Sequence, residues 1–481
     1  LKSALKKDKN FWEARYQLAL AYEKLGKLEL TEKELKKVLL QNPSDIKVRN
    51  RLAMVFVEEK LPDKALDEIR ELLQKPDIPA ETLEIAGLSY SLKGEDAVAI
   101  GYLKKALEKE PGRKKAATVL SRLYLKKGLP DSALNVINNS LKHSPDDREL
   151  LYALSDIRLY QKDQKGALEI YNRILQKNPS DFFALYKKGI ILINQNSFDE
   201  ALKVAERLIK VYPKHFIGYK LKGVVYLARK DYDNSLVSLE QALSKSPDAG
   251  TYYSKGLCHF YKGDLEQAQT AFYNALDLKP DLSKARLFIA LIHLNKDRLD
   301  DAVKEAKYVV NQEPQNALAH NILGSAYMRK GLYDRALEEF NRAIELDPNL
   351  VDAHLKKGLY FLRAGKSSLA ETEFKEAIKV APDVLNSRVM LASYYYQKRK
   401  FDKALKTLKE GLKGSPEDAA LHNMISRIYI TEGEVDKALK ELKEAIKSNK
   451  EYLPSYFNLA TLYFLKGQKQ EAVKALKDIL D

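Results

Sequence analysis

The chain predicts an all-α fold, an α-solenoid superhelix of about fourteen stacked antiparallel helix hairpins. Prolines recur at a step of 34 residues, small residues recur at two fixed places within each step, and the apolar positions between them follow a 3.6-residue period. The beat runs through Pro111, Pro145, Pro179, Pro213 and Pro247. After one step shortened by a residue it resumes at Pro280, Pro314, Pro348, Pro382 and Pro416, and Pro43 stands two steps ahead of Pro111. In such an array each unit touches mainly its neighbours, so the 481-residue length implies no single core.

Residues 317–350 show one unit. Leu318, Ile322, Leu323, Ala326 and Tyr327 fall on a helical period and predict one amphipathic helix. Gly331 follows, where a helix end needs a residue tolerant of positive φ. Leu337, Phe340, Ala343 and Ile344 predict a second helix, which Asp347-Pro348 ends because proline restricts the residue before it. Leu61-Pro62 and Leu129-Pro130 place proline at second-helix starts, where its missing N–H costs nothing.

With the terminal proline numbered 32, position 8 is Gly, Ala or Ser in every unit, from Ala19 and Ala53 to Ser426 and Ala460. Position 20 is Ala throughout, except for Thr31 and Ser235. Small residues at both places let paired helices approach closely. Position 11 is mostly aromatic (Tyr22, Phe56, Tyr90, Tyr124) and position 24 is bulky (Leu35, Ile69, Phe340, Phe374). This pattern resembles the tetratricopeptide repeat family over nearly the whole chain. The resemblance implies a right-handed superhelix whose first helices line a concave face.

The units fall at 12–45, 46–79, 80–113, 114–147, 148–181, 182–215 and 216–248 (repeats 1–7). Repeats 8–14 follow at 249–282, 283–316, 317–350, 351–384, 385–418, 419–452 and 453–481. Residues 1–11 read as the second helix of a preceding repeat, with Leu1 at position 24 and Ala4 at position 27. Irregular joints are expected near 76–80, where Pro76 and Pro79 should shorten a helix, and near 247–250. Each reads either as a hinge or as a tolerated loop variation. A chain that starts and stops inside helices reads as a segment of a longer array, and uncapped ends predict self-association by end-to-end stacking.

In the family resembled, positions 2, 5, 9 and 12 of the first helix line the partner groove. Between residues 152 and 294 these places are apolar and aromatic: Tyr152, Tyr186, Ile190, Val224, Tyr253, Leu257 and Leu291. Two readings stand. The strip receives an amphipathic helix or extended peptide anchored on tyrosines, or its residues pack against their own neighbours. The carboxylate clamp of some family members needs Lys at position 5 with Asn at position 9; here Lys220 is followed by Val224.

Other features carry less. The net charge of +15 is spread along the chain, with residues 51–150 balanced. That predicts attraction for acidic partners or anionic lipid, without a dedicated nucleic-acid face. Cys258 is the only cysteine, so no intramolecular disulfide forms. No apolar run is long enough for a membrane span. His259 and His293 share position 11, while His320 and His354 share position 4. They read as packing residues, since no carboxylate or cysteine is seen to complete a metal set. Lys188, Lys222, Lys255 and Lys357 form a basic stripe or lay their stems along the helix interface. Gly365-Lys366-Ser367 lacks the first glycine of a phosphate loop, whose place is taken by Tyr360.

No catalytic, metal or cofactor set is predicted, so the expected function is not enzymatic. The expectation is a scaffold that binds protein or peptide partners and supports assembly of a multi-protein complex. The repeat style also looks like bacterial envelope proteins, which implies an alternative: a peptide- or glycan-chain-binding component of a polysaccharide or protein export system in the periplasm or cell envelope.

Overall fold

The computed structural model describes residues 11–479, together with Leu5 and Asp8. The helix expected over residues 1–11, with Leu1 and Ala4, lies almost wholly outside them, as does Asp481. Twenty-eight helices and no strand occur among the described residues. Consecutive helices pair as hairpins, for example Trp12–Lys24 with Leu28–Gln41 and Ala317–Arg329 with Tyr333–Leu346. The chain divides into two compact units, residues 1–246 and 247–481. Each is a succession of these hairpins.

Small side chains set the hairpin geometry in both units. The position-8 residues are buried throughout, and Ala65, Ala99, Ala133, Ala302 and Ala336 at position 20 are fully buried. A Cβ on Gly87 would lie 2.5 Å from Leu103, and one on Gly256 or Gly324 would lie 2.6 or 2.8 Å from Phe272 or Phe340. These glycines make room for the large residue at position 24. The two departures at position 20 satisfy their hydroxyls locally: Ser235 Oγ donates to the Gly223 carbonyl at 2.7 Å, and Thr31 Oγ1 to the Lys27 carbonyl at 3.0 Å.

Turn chemistry repeats with the same strictness. The residue at position 15 has positive φ in every repeat, and it is glycine in eight of them, including Gly26, Gly94 and Gly331. Lys60, Lys162, Asn196, Lys230, Asp297 and Arg399 adopt the same conformation. The next N–H then returns to the position-11 carbonyl, as from Leu61 to Phe56 at 2.8 Å and from Leu332 to Tyr327 at 2.9 Å. Four first helices are capped by Asx residues at position 34: Asp45, Asp147, Asp181 and Asn316 each accept a backbone N–H of the first turn.

Three described second helices are shorter than their fourteen-residue counterparts, among them the last, Lys469–Lys477, with nine residues. Pro62–Leu73 has 12 residues and ends ahead of Pro76. Phe401–Lys409 has nine, and the loop after it is organised by Asp418, whose Oδ2 accepts the N–H groups of Lys413, Gly414 and Ser415 at 2.9, 2.6 and 3.2 Å. No described helix is long and apolar enough to cross a membrane.

Candidate partner-binding face

In the first unit, the first helices of repeats 5, 6 and 7 (Arg148–Tyr160, Phe182–Asn194 and Phe216–Ala228) carry Tyr152, Tyr186, Ile190 and Val224. All four are half-buried. Tyr186 and Ile190 pack against the core of Leu185, Leu192, Leu221 and Val225. The Tyr152 ring lies 6.2 Å from Tyr171, and its hydroxyl donates to Asp181 Oδ1 at 2.5 Å. Burial first, then the Asp181 carboxylate, raise the Tyr152 hydroxyl pKa well above the ordinary tyrosine range. Arg148 pairs with Asp181 Oδ2 at 2.8 Å.

In the second unit, Tyr253 and Leu257 lie on Ala249–Lys262 and Leu291 on Ser283–Asn295. They are half-buried too. Tyr253 stands 5.7 Å from Phe272 and 6.1 Å from Phe288, and burial pushes its hydroxyl up to about 12. Leu291 packs on the core around Leu287, Leu294 and Ile322. Each of these seven residues except Val224 thus gives part of its surface to a core cluster of its own unit.

Position 5 has a second duty that the repeat pattern did not announce. It reaches the start of the next repeat's first helix. Asn50 accepts from Thr82 Oγ1 at 2.9 Å, Asn321 Nδ2 donates to Asp352 at 2.7 Å, and Tyr152 donates to Asp181 as above. Glu84 accepts the Ala116 N–H at 2.9 Å and Arg113 NH2 at 2.8 Å.

A cleft of about 320 Å³ opens across the first helices of repeats 2–5. Met54, Leu88 and Val119 give it apolar surface, and Lys115, Arg122 and Glu149 charge it. Lys115 Nζ pairs with Glu58 at 2.9 Å, two repeats away. Asp156 follows Arg122 at position 9 of the next repeat. Loss of hydration raises its carboxyl pKa, and Lys187 and Arg122 pull it back. Leu92 and Tyr160 are exposed on these same helices, and Phe183 on the first helix of repeat 6. Sequence reasoning missed them. They occupy positions 2 and 13, and reading those columns as the others were read would have found them.

The lysines that precede position 8 do not form a stripe on this face. Lys188, Lys222 and Lys357 are half-buried; Lys188 and Lys222 reach back to the second helix of the preceding repeat, at Asn172 (2.8 Å) and Glu206 (3.4 Å), and Lys357 reaches that of its own, at Glu373 (2.8 Å). The shared-column histidines do not converge on one another either. Contrary to the sequence reading, His320 and His354 each meet a carboxylate, Glu339 and Glu373. Among the described residues no group of three or more His, Cys, Asp or Glu is placed to hold a metal ion.

Sequence models described as tetratricopeptide repeat match residues 13–45, 96–157, 186–250, 259–325, 355–419, 389–452 and 423–481, and one described as TPR repeat matches 324–365. A comparison with curated proteins gives no match. Among solved structures the chain is similar to one titled as the APC/C hetero-tetramer Cut9-Hcn1, at 16% identity and a TM-score of 0.47, covering 89% of this chain and 91% of that one. Yeast Tom70 is similar at 18% identity and 0.45, over 89% and 97%. The human IFIT1 dimer with m7Gppp-AAAA is similar at 15% and 0.46, over 76% and 89%.

Proposed function

The chain belongs to the tetratricopeptide repeat family, and from that premise we propose that it holds peptide segments of protein partners on its first-helix face and so supports assembly of a multi-protein complex. The repeats make it a protein-interaction scaffold in the general sense. The cleft across repeats 2–5 carries the finer reading. Its lining residues come from positions 2, 5, 6, 9, 12 and 13 of successive first helices, which is where stacked hairpins present one continuous surface. Apolar surface from Met54, Leu88 and Val119 suits an aliphatic or aromatic anchor, and Lys115 and Arg122 suit acidic residues flanking it. The chain's +15 charge adds to that preference and makes it weaken with salt. At position 5 of repeats 2, 3 and 5, Asn50, Glu84 and Tyr152 tie each hairpin to the next.

Selection of a random peptide library on the intact protein, followed by anisotropy titration of the recovered peptides, tests this. Val119→Asp and Arg122→Glu should each weaken binding about ten-fold or more. Lys210→Glu, on the second helix Phe198–Val211, should leave it unchanged. Equal affinities for all three variants would remove the cleft from the function.

A further inference from the structure

Position 4 of the first helix carries a device that only some repeats possess. It is arginine in four repeats: Arg388 of repeat 12 has Thr407 at position 23 and donates to its carbonyl at 3.3 Å, and the other three are Arg15, Arg49 and Arg286 of repeats 1, 2 and 9. Each of these three reaches a glutamate 19 residues later, at position 23 of the second helix: Glu34 at 2.7 Å, Glu68 at 3.5 Å and Glu305 at 2.9 Å. Arg49 and Arg286 also donate backwards, to the carbonyls of Pro43 (2.7 Å) and Pro280 (3.4 Å) at the end of the preceding repeat. One side chain thus ties its own hairpin together and ties that hairpin to the previous one.

Repeats 10 and 11 make the same two contacts with histidine. His320 Nδ1 lies 2.6 Å from Glu339 Oε2, and its Nε2 lies 3.2 Å from the Pro314 carbonyl. His354 Nδ1 lies 2.8 Å from Glu373 Oε2, and its Nε2 lies 3.2 Å from the Pro348 carbonyl. A carboxylate and a peptide carbonyl both only accept. Neutral imidazole carries one N–H and would turn a lone pair toward one of the two acceptors. Only the imidazolium donates to both at once. The two rings are nine-tenths buried, so water does not readily replace a lost partner.

We propose that His320 and His354 make repeats 10 and 11 a pH-responsive segment of the array. The doubly donating clamp closes as the rings are protonated and opens as they lose a proton, loosening residues 317–384, while the arginine clamp of repeat 9 stays closed. The charged groups that face the rings fit this direction. Glu339 faces His320. Glu373 faces His354, with Lys357 on the other Glu373 oxygen at 2.8 Å, which opposes protonation of the ring but keeps Glu373 ionised. The hydrogen bond to Glu373 outweighs burial and raises the His354 pKa above its ordinary value. His422 repeats only half of the device, with Glu441 at 2.6 Å.

Hydrogen exchange of the full chain at about pH 6 and about pH 8, corrected for intrinsic rates, reads the effect. Peptides from 317–384 should lose protection several-fold at the higher pH relative to peptides from 283–312. The His320→Arg/His354→Arg variant should abolish the difference, as should His354→Arg alone for residues 351–384. Ring ¹⁵N shifts give a second readout: both nitrogens of His320 and His354 should be protonated at the lower pH. Equal pH dependence of repeats 9 to 11, its persistence in the arginine variants, or a singly protonated ring at the lower pH would overturn the proposal.

Discussion

Gly358 and Phe374 meet so closely across repeat 11 that a Cβ on the glycine would stand 2.5 Å from the ring's Cε1. Phe374 is fully buried. Gly358→Ala should therefore destabilise the second unit by about 1–3 kcal/mol through overpacking. Phe374→Leu in the same chain should recover part of the loss, because Ala392 already sits over Leu408 in the next repeat. A double-mutant cycle on urea unfolding measures this. Strict additivity of the two changes would show that the contact does not limit the approach of the helices.

Arg399 occupies the left-handed turn position with φ of 53°, where eight other repeats use glycine. A side chain there strains the backbone, at a cost of about 1 kcal/mol. Arg399→Gly should accordingly slow local opening of residues 385–409, after allowance for the extra freedom glycine has when unfolded. Hydrogen exchange of that segment checks it. Faster exchange in the variant would mean that unfolded-state entropy outweighs the relief of strain.

These two relationships also show what the amino-acid sequence discloses. The hairpin was legible because its crossing depends on side-chain size, and size is a property of single columns such as Gly358 and Ala370. The left-handed turn at Gly331 was legible for the same reason. At Lys162 or Arg399 it was not, since nothing about a lysine or arginine signals positive φ. The clamp at His354 was written in two columns together: Arg15, Arg49, Arg286, His320, His354 and His422 at position 4 accompany Glu at position 23, with Arg388 and Thr407 the exception, whereas Leu83, Leu151 and Leu185 accompany Tyr102, Ile170 and Val204. Reading position 4 alone made its histidines look like packing residues. How much of Tyr152 or Tyr253 reaches solvent was beyond sequence, because it is set by neighbours at position 24, Tyr171 and Phe272, folding back from another helix.

The His354–Glu373 clamp has an acid limit as well as an alkaline one. Hydrogen bonds from His354 and Lys357 hold the Glu373 carboxyl below its ordinary pKa of 4.5, overcoming the opposing effect of burial. A depressed carboxyl contributes stability that is present above 4.5 and is lost as pH falls through the folded value. The raised His354 contributes stability that is complete below 6.5 and is lost as pH rises through its folded value. The clamp should therefore be strongest between those two ordinary values and weaken on both sides. Glu373→Gln should flatten both limbs for residues 351–384 in exchange measurements across that range. A variant that keeps either limb would place its origin in another group.

Glu84 offers the sharpest test of how one repeat holds the next. It is 5% exposed, yet it carries a charge. Its Oε2 accepts Arg113 Nε at 3.0 Å and NH2 at 2.8 Å, and its Oε1 accepts the Ala116 N–H in the first turn of Lys114–Lys126. Arg113 closes the pairing from the solvent side with Glu110 at 2.6 Å. Glu84→Ala leaves a guanidinium that is four-fifths buried with only the exposed Glu110 carboxylate, takes the acceptor from the Ala116 N–H, and should cost about 2–4 kcal/mol. Glu84→Leu/Arg113→Leu should cost less, because removing both partners leaves no buried charge unpaired. Exchange at Ala116 and Ala117 should quicken in the alanine variant before any change reaches repeat 2. If the double variant proves as unstable as the single one, the pair holds the joint by shape, and its charge is incidental.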